Sequence, residues 1–109
     1  MPSDHWLAEE RSLALHQAVA ERVRRTPALL ESARARVRAW QADGRMNARY
    51  AEAWERVLAL PIEDVCAFMT DRGEEARALR QSTPFVGVLD ARTRLRIWRQ
   101  VRDRNGVRP

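Results

Sequence analysis

The residue types best suited to chemistry in this chain are arginines. Arg92, Arg96 and Arg99 recur at i, i+4 and i+7, a spacing that sets three guanidinium groups on one face of a helix. A guanidinium is a planar fork of donors that never deprotonates and pairs bidentately with carboxylate or phosphate oxygens, so such a stripe binds anions rather than turning over a substrate. Other candidates for catalysis are sparse. His5 and His16 are the only histidines, and neither has a second His, Cys or carboxylate at metal-ligand spacing. His16 falls within an apolar stripe and reads as a hydrogen-bonded core residue. Cys66, the single cysteine, reads as a small buried hydrophobe with an inert thiol. Glu63-Asp64 and Glu74-Glu75 are adjacent pairs whose members diverge around a helix, in keeping with ordinary first-turn acids. With no glycine-rich phosphate loop, GxSxG elbow or HExxH, no catalytic residue, metal ligand or cofactor is assigned, and an enzyme is the least supported class.

The charge is concentrated at one end. Of the 20 basic residues none is lysine, and the net charge of +5 lies wholly from Asp90 onward, where seven arginines face two aspartates; residues 1–89 hold 13 arginines and 13 acids. The lack of lysine fits either selection for guanidinium chemistry or codon usage in a GC-rich genome, and because the second is the favoured reading, arginine abundance alone is weak evidence for nucleic acid. The uneven placement is the informative feature.

The elements that would position these groups are helices. A chain of 109 residues suits one domain, and 45% hydrophobic and 32% charged residues with 4 glycines suit an ordered helical protein. No apolar run approaches the ~20 residues of a membrane span, and MPSDHWLAEERS does not resemble a signal peptide, so the expected location is the cytoplasm, without membrane partners. A first helix is expected from Ser3 or Asp4 to Arg25, with Leu13, Leu15, Val19, Ala20 and Val23 inward. Thr26-Pro27 opens a second, with Leu29, Leu30, Ala33, Val37 and Trp40 inward, ending at Asp43-Gly44. Asn47 caps a third, with Tyr50, Ala51, Trp54, Val57 and Leu58 on its inward side. A fourth spans Pro61 to Met69, and a short fifth runs Glu74 to Gln81. Ser82-Thr83-Pro84 then turns, Phe85 to Leu89 form an apolar connector expected to tuck across the bundle, and Asp90 caps a last helix on which Ile97, Trp98 and Val101 share the inward face. The expectation is an all-α single domain of five to six short helices over residues 1–104, with residues 105–109 frayed.

Three features invite a binding role. Trp6, Trp40, Trp54 and Trp98 could stack bases, but the last three coincide with apolar stripes and read as core. Residues 62–80 invite comparison with a helix-turn-helix offering Arg72, Arg77 and Arg80 to DNA, although Glu74 and Glu75 would open the recognition helix against the phosphates. The strongest lead is the basic last helix, because its arginines lack the interspersed acids of the other helices.

The combination of SLALHQAVAERV, the central tryptophan-bearing helix pair and ARALRQSTPFVGVLDARTRLRIW resembles small, mostly uncharacterised bacterial helical proteins associated with toxin-antitoxin type operons, some of them attached to DNA-binding domains. The likeness runs from about Ser12 to Val101. It implies an antitoxin-like role in which a partner toxin is bound and masked. The reading adopted is a non-enzymatic interaction module docking a protein partner through Arg80, Gln81, Phe85, Arg92, Arg96, Arg99 and Arg102. Duplex DNA is the alternative ligand, and a second copy of the chain a further partner.

Overall fold

The computed structural model describes residues 4–106. Among these residues the chain forms six helices and no strand: α1 (Asp4–Arg25), α2 (Ala28–Ala42), α3 (Ala48–Leu58), α4 (Ile62–Met69), α5 (Glu74–Arg80) and α6 (Ala91–Arg104). The all-α bundle expected from helical periodicity is therefore what forms. The proposed Ser3 cap and the end of the proposed frayed tail lie outside the described residues. Asn105 closes α6, its side-chain amide donating to the Val101 carbonyl at 2.7 Å.

Local chemistry explains most of the boundaries. Asn47 accepts from the Arg49 amide at 2.8 Å, and Asp90 accepts from the Thr93 amide at 2.7 Å, each satisfying a free donor in its helix's first turn. Gly44 ends the α2 turn at φ +81°, a conformation in which a β-carbon would be strained. The α1–α2 junction departs from the expected cap. Pro27 holds α-region angles and the Leu29 amide bonds the Thr26 carbonyl, so the junction uses backbone rather than the threonine hydroxyl.

α1 is the hub, packing against α2, α4, α5 and α6, whereas α2 pairs with α3. The core between them contains Val23, Val37, Ala51, Trp54, Leu58, Val65, Cys66, Met69 and Val101, all with no exposed surface. Trp54 is its largest member. Its ring meets Phe68 and Phe85 edge-on at 6.3 and 6.1 Å, and its indole N–H donates to Ser82 Oγ at 3.3 Å. Tyr50 departs from the expected inward face. It is 42% exposed in the first turn of α3, on the wall of an open groove that it shares with Trp40, Met46 and Val86.

Residues 81–90 carry the chain from α5 to α6, and the bundle grips them from three helices. His16 Nδ1 donates to the Ser12 carbonyl at 2.7 Å, which leaves Nε2 of the neutral ring to accept from the Thr83 hydroxyl at 2.9 Å. Thr83 Oγ1 in turn accepts from the Phe85 amide at 3.2 Å. From α2, Arg36 donates to the Pro84 carbonyl at 2.9 Å; Pro84, Phe85 and Leu89 are buried, whereas Val86 is exposed. The connector is thus tucked in as its apolar content predicts, and it fixes where α6 begins.

Candidate docking surface on the last helix

α6 packs on α1 alone among the described helices. The Asp90 end lies near Arg22, and Trp98 lies under Arg11, so the two helices run antiparallel. One neighbour buries only a narrow strip: Ile97 and Val101 are buried, and the opposite face is left to solvent. Arg92, Arg96 and Arg99 all fall in the wedge facing away from Ile97 and Val101, at about 100° of rotation per residue. Asp103 shares that wedge.

Among the described residues no carboxylate forms an ion pair with these arginines. The ion pairs among the described residues join Glu9 to Arg77 and His5, Glu10 to Arg72, Glu21 and Glu63 to Arg24, Glu31 to Arg34, and Asp43 to Arg45. None uses an arginine of α6. The field of Arg22 and Arg96 reaches Asp90, whose carboxyl is held below its usual range first by hydrogen bonds from Thr93 and then by these two charges.

Trp98 differs from its expected place. It is 38% exposed at the edge of the α1 contact, and Leu95, three residues earlier, is 44% exposed. The Arg11 guanidinium of α1 lies 3.9 Å from the centre of the Trp98 ring, a cation–π contact that covers one side of it. Arg102 lies on the same flank and is half-buried. The open side of α6 is therefore a stripe of arginine bordered on one flank by two apolar side chains. Sequence reasoning missed Leu95 and Arg11. Their signals were the i, i+3 spacing of Leu95 and Trp98, and the i, i+4, i+7, i+11 recurrence of Arg11, Leu15, Ala18 and Arg22 along α1.

The remaining predicted docking residues sit elsewhere. Arg80 is only 4% exposed, and its guanidinium donates to the carbonyls of Met69 at 3.2 Å and Asp71 at 2.6 Å. A cation at the end of α4 satisfies carbonyls with no helical partner, so Arg80 is a structural clasp and not a contact for a partner. Phe85 is 4% exposed against Trp54 and is likewise unavailable. Gln81 is exposed on the rim of an open groove of about 610 Å³, lined by Trp40, Met46, Tyr50 and Val86. The groove's one arginine, Arg45, is paired with Asp43, so no charge converges on it.

The helix-turn-helix comparison meets the same difficulty. Arg72 pairs with Glu10 at 2.8 Å, Arg77 pairs with Glu9, and Arg80 is buried, so all three arginines of 62–80 are engaged within the molecule. Elsewhere, burial pushes the Cys66 thiol above its ordinary range, and Sγ lies 3.8 Å from the Ala20 carbonyl; this is the environment of an unreactive core cysteine. Among the described residues no group of three His, Cys, Asp or Glu side chains converges as a metal site would require, and no helix is long and apolar enough to cross a membrane.

Comparison of the chain with family models, with curated proteins and with solved structures finds no match.

Proposed function

We propose that this protein is a non-enzymatic interaction module, antitoxin-like in role, that docks an acidic partner protein through the outward face of α6. The observation that carries the reading is that, among the described residues, Arg92, Arg96 and Arg99 have no carboxylate partner, whereas α1 is joined to α4 by the Arg24–Glu63 pair and to α5 by the Arg77–Glu9 pair. Leu95 and Trp98 support a protein ligand, since exposed tryptophan beside arginine is the composition that dominates binding energy at protein interfaces.

Duplex DNA fits the same charge less well. Asp103 stands within the arginine wedge and would face the phosphates, a phosphate backbone offers nothing apolar for Leu95, and the arginines of 62–80 are already engaged. Affinity capture from cells of the source organism tests the reading. Wild-type protein should retain one acidic protein stoichiometrically, and a variant with Arg92, Arg96 and Arg99 changed to Gln should lose it. Retention of the same partner by the triple variant, or retention of nucleic acid alone, would overturn the proposal.

A further inference from the structure

The seam between α1 and α6 contains a charge arrangement that the outward stripe does not explain. Arg11 of α1 lies over Trp98, one turn before Arg102 on α6, close enough for the charge of Arg102 to act on it, and neither arginine forms an ion pair among the described residues. The Nε atoms of both are shielded from solvent without a hydrogen-bond partner, and no other buried side-chain nitrogen or oxygen among the described residues is left in that state. Burial first, and then the charge of Arg102, lower the proton affinity of the Arg11 guanidinium, with Asp4 acting in the opposite sense. Two like charges and two unmet donors in one place are unfavourable, and a single anion between them relieves both.

From this geometry we infer that Arg11 and Arg102 form a two-guanidinium clamp for one carboxylate of the docked partner, placed so that an apolar side chain next to that carboxylate packs on Leu95 and Trp98. The inference rests on the proposed docking role of α6 and defines the chemistry of its ligand. The clamp stands on the flank of the helix where both exposed apolar side chains lie, at i and i+3, with Arg102 one turn beyond Trp98. A carboxylate bound there sits beside apolar surface rather than in a line of anions, which matches an acidic amphipathic segment of a protein. Arg11 also has a second state available. When its fork turns from the Trp98 ring toward a carboxylate, the face of the indole opens to the partner's apolar side chain.

The test is an NMR titration of uniformly ¹⁵N-labelled protein, following the side-chain Nε–H resonances of its arginines. The probe is a short helical peptide of alternating Glu-Glu and Leu-Leu pairs, with inorganic phosphate and a short DNA duplex as separate arms. The peptide should shift the Arg11 and Arg102 signals together with those of Arg92, Arg96 and Arg99. Arg102→Met should weaken peptide binding about tenfold, as expected for loss of a hydrogen bond to a charged group, whereas Arg25→Gln, at the exposed end of α1, should leave it unchanged. Arg102→Met should also melt no lower than wild type, because it removes a repelling charge and an unmet donor; a lower melting point would mean that Arg102 is a structural residue and would overturn the clamp.

If the peptide shifts only Arg92, Arg96 and Arg99, the clamp is wrong and the docking role stands. If no arginine of α6 responds to the peptide, both fail. If phosphate or the duplex shifts Arg11 and Arg102 while the peptide does not, the site takes phosphate and the carboxylate assignment is overturned.

Discussion

Trp54→Ala is the perturbation whose size follows most directly from the packing. The indole has no exposed surface, so its removal leaves a cavity in a rigid core as well as forfeiting transfer energy, and substitutions of this kind cost about 3–5 kcal/mol. Two further losses push toward the top of that range. The edge-on contacts with Phe68 and Phe85 are each worth about 0.5–1.5 kcal/mol beyond their area, and Ser82 Oγ loses the donor that holds the connector. At roughly 4 °C per kcal/mol for a chain of this size, the melting temperature should fall by about 12–20 °C. The assay is urea and thermal unfolding followed by far-ultraviolet circular dichroism. A chain of this length has a total stability of about 5–15 kcal/mol, so the alanine variant could unfold altogether. Trp54→Phe guards against that outcome, since it keeps a ring but loses the N–H and part of the volume, and it should cost about 1.5–3 kcal/mol. A loss below about 1 kcal/mol for the alanine variant would refute the assignment of Trp54 as the core anchor that secures the connector.

Further expectations follow from the buried polar groups. Burial, aided by the charge of Arg80, holds the folded His16 pKa below its unfolded value near 6.5, although the Ser12 carbonyl acts in the opposite direction. The unfolded chain therefore binds the proton more readily: this contribution to stability is complete above pH ~6.5 and is lost as pH falls below that value toward the folded pKa. The difference in unfolding free energy between wild type and His16→Gln, measured across pH 5–8, should shrink on acidification, and a difference independent of pH would contradict the neutral ring linking Ser12 to Thr83. Arg80→Met should cost at least about 1–3 kcal/mol by chemical denaturation, because the carbonyls of Met69 and Asp71 lose their donor, whereas Arg96→Gln should stay within about 0.5 kcal/mol of wild type. Equal costs at the two positions would mean that the division into internal and outward arginines is wrong.

Much of the scaffold was legible because its signals are local. Asn47 and Asp90 cap the helices that their position ahead of helical stretches announces, Asp43-Gly44 ends α2, and the apolar connector is drawn across the bundle with Phe85 and Leu89 inside. The use of each arginine was not legible, because it is decided by tertiary neighbours. Arg72 and Arg77 meet glutamates of α1 more than sixty residues away in sequence, and Arg34 donates to the Leu58 carbonyl at the end of α3. The local pattern set Arg92, Arg96 and Arg99 apart only by the scarcity of acids around them, and it did not show which of the other arginines are engaged.

Trp98 was misplaced for a related reason. Periodicity locates the centre of an apolar stripe and not its width. A helix with one neighbour buries only the centre, Ile97 and Val101, whereas α1, enclosed by four helices, buries a broad face. The same peripheral position that exposes Trp98 also exposes the arginine stripe, so the misreading and the candidate surface have one physical origin.

Arginine footprinting with phenylglyoxal, read residue by residue by mass spectrometry, tests the central claim most directly. In the free protein Arg92, Arg96 and Arg99 should react rapidly while buried Arg80 resists modification, and in the captured complex the three α6 residues should become protected. Slow modification of Arg92, Arg96 and Arg99 in the free protein, or equal rates for them with and without the partner, would contradict the account.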